Sequence, residues 1–173
     1  MAGRGHNVDM DSQGRAETAL RLREHWLAEE APDPNVDYIA FADGTLMVME
    51  LCPLEPVARY SRPAGYRWSE LLQATKWTPS SWLCCDERAS HTHGGYRALA
   101  GESSWGSIGW VALAREGAEG SLEWVATSFG SNPFSKVELN ETTLTAASTA
   151  GYIWEFPRGA PQKVRITADP DYP

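Results

Sequence analysis

"GSIGWVALAREGAEGSLEWVATS", Gly106 to Ser128, is the stretch that decides the fold. Two near-copies, GSIGWVA and GSLEWVA, start at Gly106 and Gly120 and flank the turn-forming EGAEG. Each copy is short, apolar and bounded by glycine, which is a strand signature. Two copies do not make a solenoid or a propeller, which need at least roughly three units. The pair is therefore expected to form one antiparallel hairpin, residues 108–116 against 121–129. Counting back from a Gly117–Gly120 loop sets Glu116 opposite Ser121, Leu113 opposite Trp124 and Trp110 opposite Thr127. Trp124 then shares a face with the apolar Val111, Leu113, Leu122 and Ala126, the better core. Trp110 falls with Ala112, Ala114, Glu123 and Thr127, on a half-polar surface or under a helix.

Strand patterns continue downstream at SKVEL, TLTAAS, GYIWEFP and KVRIT, punctuated by Asn132-Pro133 and by Pro157 to Pro161. Strands joined by short turns without intervening helices pair antiparallel. Upstream, DYIAFADGTLMVMEL carries Asp43-Gly44 between two apolar runs, the signature of a hairpin with a type I′ turn. GRAETALRLREHWLAEE predicts a helix with Ala16, Ala19, Leu20, Arg23, Trp26 and Leu27 on one face, ended by Pro32 and Pro34. RWSELLQATKW predicts a short middle helix with Trp68, Leu71, Leu72 and Thr75 on one face. The fold class is α+β: one twisted antiparallel sheet, a meander of hairpins, with an N-terminal helix and a short middle helix. Residues 1–13 read as a flexible tail and 14–173 as a single domain.

The chain has 173 residues, enough to bury a sizeable core. Its net charge of −8 and pI near 5.0 repel phosphate backbones, so nucleic acid is an unfavourable partner. No apolar run reaches the length of a membrane span, and the start lacks a signal-type apolar core. Three cysteines do not make a disulfide framework. A cytoplasmic protein without membrane association is expected.

The sharpest chemical question lies in SWLCCDERASHTHGGY, Ser81 to Tyr96. His91 and His93 would point the same way in an extended segment and are the fallback metal ligands. Cys84 and Cys85 are adjacent, so a strand turns them to opposite faces, and the C-x-x-C spacing of zinc sites is absent. The expectation is a buried strand at SWLCC, a polar glycine-hinged loop at His91–Gly95, and no metal or other cofactor. A reactive thiol would need a cationic neighbour to lower its pKa. No serine-hydrolase elbow, phosphate loop or dinucleotide fingerprint occurs.

ARYSRPAGYRW sets a basic and aromatic island in this acidic chain; the eight tryptophans are a high count, most of them expected in the core, and an exposed subset would suggest recognition. Arg59, Tyr60, Arg62, Tyr66, Trp105 and Trp110 are the candidate partner-binding residues. The functional expectation is a non-enzymatic protein-interaction domain, such as a small inhibitor or immunity-type protein, that captures a partner with a basic surface. The alternative is a small-molecule-binding protein or enzyme with its site near His91, His93 and Cys85.

Overall fold

A computed structural model describes residues 6–55, 61–74, 79–104, 106–117 and 121–173; for 6–11 and 72–74 it describes the backbone path. Helix α1 spans His6–Leu27. Twelve strands follow: β1 Glu30–Pro32, β2 Tyr38–Phe41, β3 Leu46–Pro53, β4 Gly65–Ala74, β5 Trp82–His93 and β6 Tyr96–Ser103. The rest are β7 Gly109–Arg115, β8 Leu122–Ser128, β9 Phe134–Leu139, β10 Thr143–Ser148, β11 Tyr152–Pro157 and β12 Arg165–Ala168.

All pairings are antiparallel, in the order β1-β5-β6-β7-β8-β2-β3-β4-β12-β11-β10-β9. Three meanders make this order: β5 to β8, β2 to β4, and β9 to β12. The β2 meander joins the other two, through β8 on one side and β12 on the other. The sheet curls into a half-barrel, and its end strand β9 comes back against β5 and β6.

The concave face holds an aromatic core. Trp68, Trp124, Phe134, Trp154 and Phe156 are buried there with Ile39, Val111, Leu113, Leu144 and Ile166. Trp154 meets Trp68 and Phe134 edge to face at 5.4 and 5.5 Å between centroids. Such pairs contribute beyond area burial, each about 0.5–1.5 kcal/mol. Trp68, Trp124 and Trp154 are thus core residues, as expected for most of the tryptophans.

The convex face of β5–β6–β7–β8–β2–β3 forms a second core under α1, with Leu22, Tyr38, Ala40, Leu46, Leu83, Cys85, Leu99, Trp110 and Val125. The hairpin at Gly106–Ser128 pairs as its pattern predicts over Trp110–Thr127 and Leu113–Trp124. A bulge after Leu113 then sets Ala114 opposite Leu122, so Arg115 rather than Glu116 bonds Ser121. That one-residue slip turns Leu122 to the convex core, away from the face shared by Trp124, Val111, Leu113 and Ala126. Trp110 lies under the helix, not on a half-polar surface.

Several expectations are corrected. α1 begins at His6, ahead of the Gly14 start that the sequence pattern predicts. Its buried face is Thr18 and Leu22, with Trp26 half-buried, while Leu20 and Leu27 are 57% and 48% exposed. The inward side also carries Arg21 and His25, whose flat side chains pack on Trp82. Counting them as polar rotates the apparent apolar face. The helix stops at Leu27, ahead of the prolines, and the left-handed Glu29 (φ 60°) redirects the chain into β1.

The middle helix is absent; RWSELLQA is strand β4, paired along β3. Tyr66 and Trp68 alternate with Arg67 and Ser69, a period of two that puts Trp68 into the aromatic core. Leu71, on the expected helix face, is 64% exposed. Thr75 and Trp77 lie outside the described residues. Among those residues the only other helical turn is a 3-10 turn at Pro161–Lys163.

The Asp43-Gly44 hairpin forms, but only Gly44 has a positive φ, 87°. The Asp43 carboxylate accepts from Thr45 N–H at 2.9 Å. A Cβ on Gly44 would sit 2.4 Å from the Arg15 carbonyl oxygen of α1, so glycine permits the turn to pack on the helix. The type I′ turn is elsewhere, at Gly94-Gly95, with φ 58° and 76° between His93 and Tyr96. His91 and His93 are therefore strand residues, not loop residues. Among the described residues no helix is long and apolar enough to cross a membrane.

Candidate functional site

The sequence-selected residues do not converge on one place. Cys85 lies opposite Ser103 and belongs to the convex core under α1. His91 lies opposite Ala98, which belongs to the concave core. Six residues along a regular strand would put both side chains on one face. The irregularity between Glu87 and Ala89 reverses that, so Cys85 and the two histidines face opposite sides of the sheet. Cys85 therefore does not share a face of the sheet with His91 and His93.

The side chain of His91 is also occupied, its Nδ1 accepting the Leu139 backbone N–H at 2.9 Å. No group of three or more His, Cys, Asp or Glu residues that could hold a metal occurs among the described residues. Cys84 is exposed and Cys85 buried, on opposite faces as their adjacency requires. Burial pushes the Cys85 thiol far above its ordinary range, with Cys84 and Asp86 adding in the same direction. A thiol so held stays protonated and is a poor nucleophile.

The basic and aromatic island divides. Arg59 and Tyr60, and Trp105 further on, lie outside the described residues. The Arg62 guanidinium sits over Tyr152 and Tyr172, 4.7 Å from each ring centroid. Tyr66 is half-buried edge-on to Tyr152, and burial raises its phenol pKa. Arg62 thus bridges β11 and the C-terminal residues, while Tyr66 packs on β11. Trp110 is 1% exposed, so it cannot act as a protruding anchor.

What does come together is a cleft of about 160 Å³ where the end of α1 meets β5, β6 and β7. Trp26, Cys85, Leu99 and Trp110 line its apolar part, and Glu29, Glu87 and Arg97 its polar part. The two indoles meet at 85° with centroids 6.0 Å apart, forming an aromatic corner. Trp110 is fixed by its Nε1–H donating to the Glu102 carbonyl at 2.9 Å. Arg97 donates to both carboxylate oxygens of Glu87 at 2.8 and 3.1 Å, so those two charges compensate. Glu29 is exposed, and its carboxylate has no partner among the described residues.

Local sequence explains the assembly. Glu29 occupies the left-handed position after the helix, where glycine or asparagine is the usual residue. Its carbonyl accepts the Cys85 N–H at 2.8 Å, tying the helix end to β5. Of the cleft residues, the sequence singled out Trp110 and Cys85. Trp26 reads in the sequence as part of the helix's apolar face, Glu87 lies within the singled-out Ser81–Tyr96 stretch, and Glu29, Arg97 and Leu99 carry no local signal.

No protein-family model matches the chain, and neither a curated protein nor a solved structure matches it.

Proposed function

We propose that this protein is a non-enzymatic interaction domain that captures a partner with a basic surface, in the manner of a small inhibitor or immunity-type protein. The observation that carries it is the uncompensated Glu29 carboxylate beside an aromatic cleft, in a chain of net charge −8. Long-range attraction speeds encounter with a basic partner, and a desolvated aromatic corner supplies short-range affinity. The concave face is filled by the protein's own aromatic side chains, which favours recognition on the outside of the sheet. The test is capture from the native cell, identification by mass spectrometry, and isotherms on the purified partner across a salt series. A basic partner is expected, with affinity that falls as salt rises and falls again on Glu29→Gln. A captured partner without a basic surface, or affinity indifferent to salt, would overturn it.

A further inference from the structure

We infer that the cleft lined by Trp26, Trp110 and Glu29 is a binding site for an organic ammonium group, such as an alkylated or quaternary amine. This deepens the capture of a basic partner by naming the group that the cleft takes.

Four features of the cleft converge on a cation of this kind. The first is aromatic: the half-buried Trp26 indole, backed edge to face by the buried Trp110, lines the cleft, and an indole attracts a cation through its ring quadrupole. Trp110 cannot swing away, since its N–H is held by the Glu102 carbonyl. The second is charge. Glu87 is compensated by Arg97, which leaves Glu29 as the open negative charge on the cleft.

The third is the end of α1. The helix stops at Leu27, between two cleft residues, Trp26 and Glu29. A helix C-terminus carries partial negative charge and favours cations there. The fourth is the lining of Leu99 and Cys85, both buried. Apolar neighbours suit a bulky alkylammonium, which is weakly hydrated, and disfavour a metal ion, which needs several oxygen ligands. The volume of about 160 Å³ accommodates a tetramethylammonium-sized group and is small for a drug-sized ligand.

The backbone of Glu29 adds a separate point. A non-glycine residue at φ 60° in this position is strained, and glycine would relieve the strain. Glutamate at this position therefore costs stability, and it is the position that puts an uncompensated carboxylate on the cleft. Strain of this kind gathers at functional sites.

The experiment is an NMR titration of the full chain, following the indole N–H signals of Trp26 and Trp110. The probe is tetramethylammonium chloride, with tert-butanol as a neutral compound of similar shape and sodium chloride as the ionic control. The expected result is saturable shifts at both indoles, with a dissociation constant on the order of millimolar. Binding of tert-butanol should be at least tenfold weaker. Glu29→Gly should weaken tetramethylammonium at least threefold while raising thermal stability, so lost binding cannot be ascribed to misfolding. Shifts that do not saturate, equal binding of tert-butanol, or full binding by Glu29→Gly would overturn the inference.

The two proposals fail separately. A basic partner that binds a protein blind to tetramethylammonium sinks the ammonium site alone. Saturable tetramethylammonium binding by a protein that captures only non-basic partners sinks the capture reading alone. A free amine and a lysine-type side chain of the partner are told apart by competition: tetramethylammonium displaces the partner only if the partner's own ammonium enters the cleft.

Discussion

His91 of β5 accepts the backbone N–H of Leu139 in β9 through its ring Nδ1, at 2.9 Å. The bond lies where the two ends of the curled sheet meet, and a side chain supplies the acceptor there. The His91→Ala variant leaves the Leu139 N–H without this acceptor. A loss of about 1 kcal/mol is expected in urea unfolding, in line with one hydrogen bond. Faster hydrogen exchange at Leu139 should accompany it. An unchanged midpoint with unchanged exchange would show that packing alone closes the seam.

Asp37 ties three segments together. Its carboxylate accepts from Trp68 Nε1 at 3.0 Å, Ser128 Oγ at 2.8 Å and the Phe129 N–H at 2.7 Å. Those donors belong to β4, to the end of β8 and to the turn that follows it. Asp37→Ala should cost about 2–3 kcal/mol, because charge-assisted bonds are lost and donors are stranded. Asp37→Asn should fall between, since the amide keeps one accepting oxygen. Chemical denaturation of both variants checks the order, and equal losses would argue against the charge.

The hairpin at Gly106–Ser128 was legible because its apolar pattern and its glycine-bounded loop agree. The same holds for β9 to β12, where short alternating runs sit between prolines and glycines. The strand β4 was not legible as such. Trp68, Leu71 and Leu72 fit a three-and-four spacing, and only pairing with β3 shows that period two governs. The cleft was hidden for a different reason. Glu29 and Arg97 are separated by 68 positions, and the bulge near Glu87 decides which face Cys85 shares with which neighbour. Neither long-range pairing nor a bulge leaves a local mark in the sequence.

Arg62 between the rings of Tyr152 and Tyr172 predicts a clamp on the C-terminal residues. Gly151 makes room for it, because a Cβ there would lie 2.2 Å from an Arg62 nitrogen and 2.5 Å from Tyr172. Arg62→Ala should lower stability by about 0.5–1 kcal/mol and make the segment after Asp169 more susceptible to carboxypeptidase. Arg62→Lys should retain part of the effect, since the charge stays but the planar stacking is lost. If proteolysis is unchanged in both, the stack does not hold the tail.

The buried thiol of Cys85 gives a pH dependence with a definite sign. Burial raises its pKa in the folded protein, whereas an unfolded cysteine titrates at about 8.5. Above that pH the unfolded chain loses a proton that the folded chain keeps. Stability should therefore be unaffected by this group below about pH 8, and should fall by up to about 1.4 kcal/mol per pH unit above pH 9. The phenol of Tyr38, also raised by burial, adds the same trend from about pH 10 upward. Urea unfolding at pH 7, 9 and 10 isolates the thiol, and Cys85→Ala should flatten the slope between pH 9 and 10 despite its own packing cost. Alkylation gives a second readout at pH 8: the exposed Cys84 should react quickly and Cys85 only at the rate of opening of the fold. Equal reactivity of the two, or a wild-type slope no steeper than that of Cys85→Ala, would contradict a thiol held neutral beneath α1.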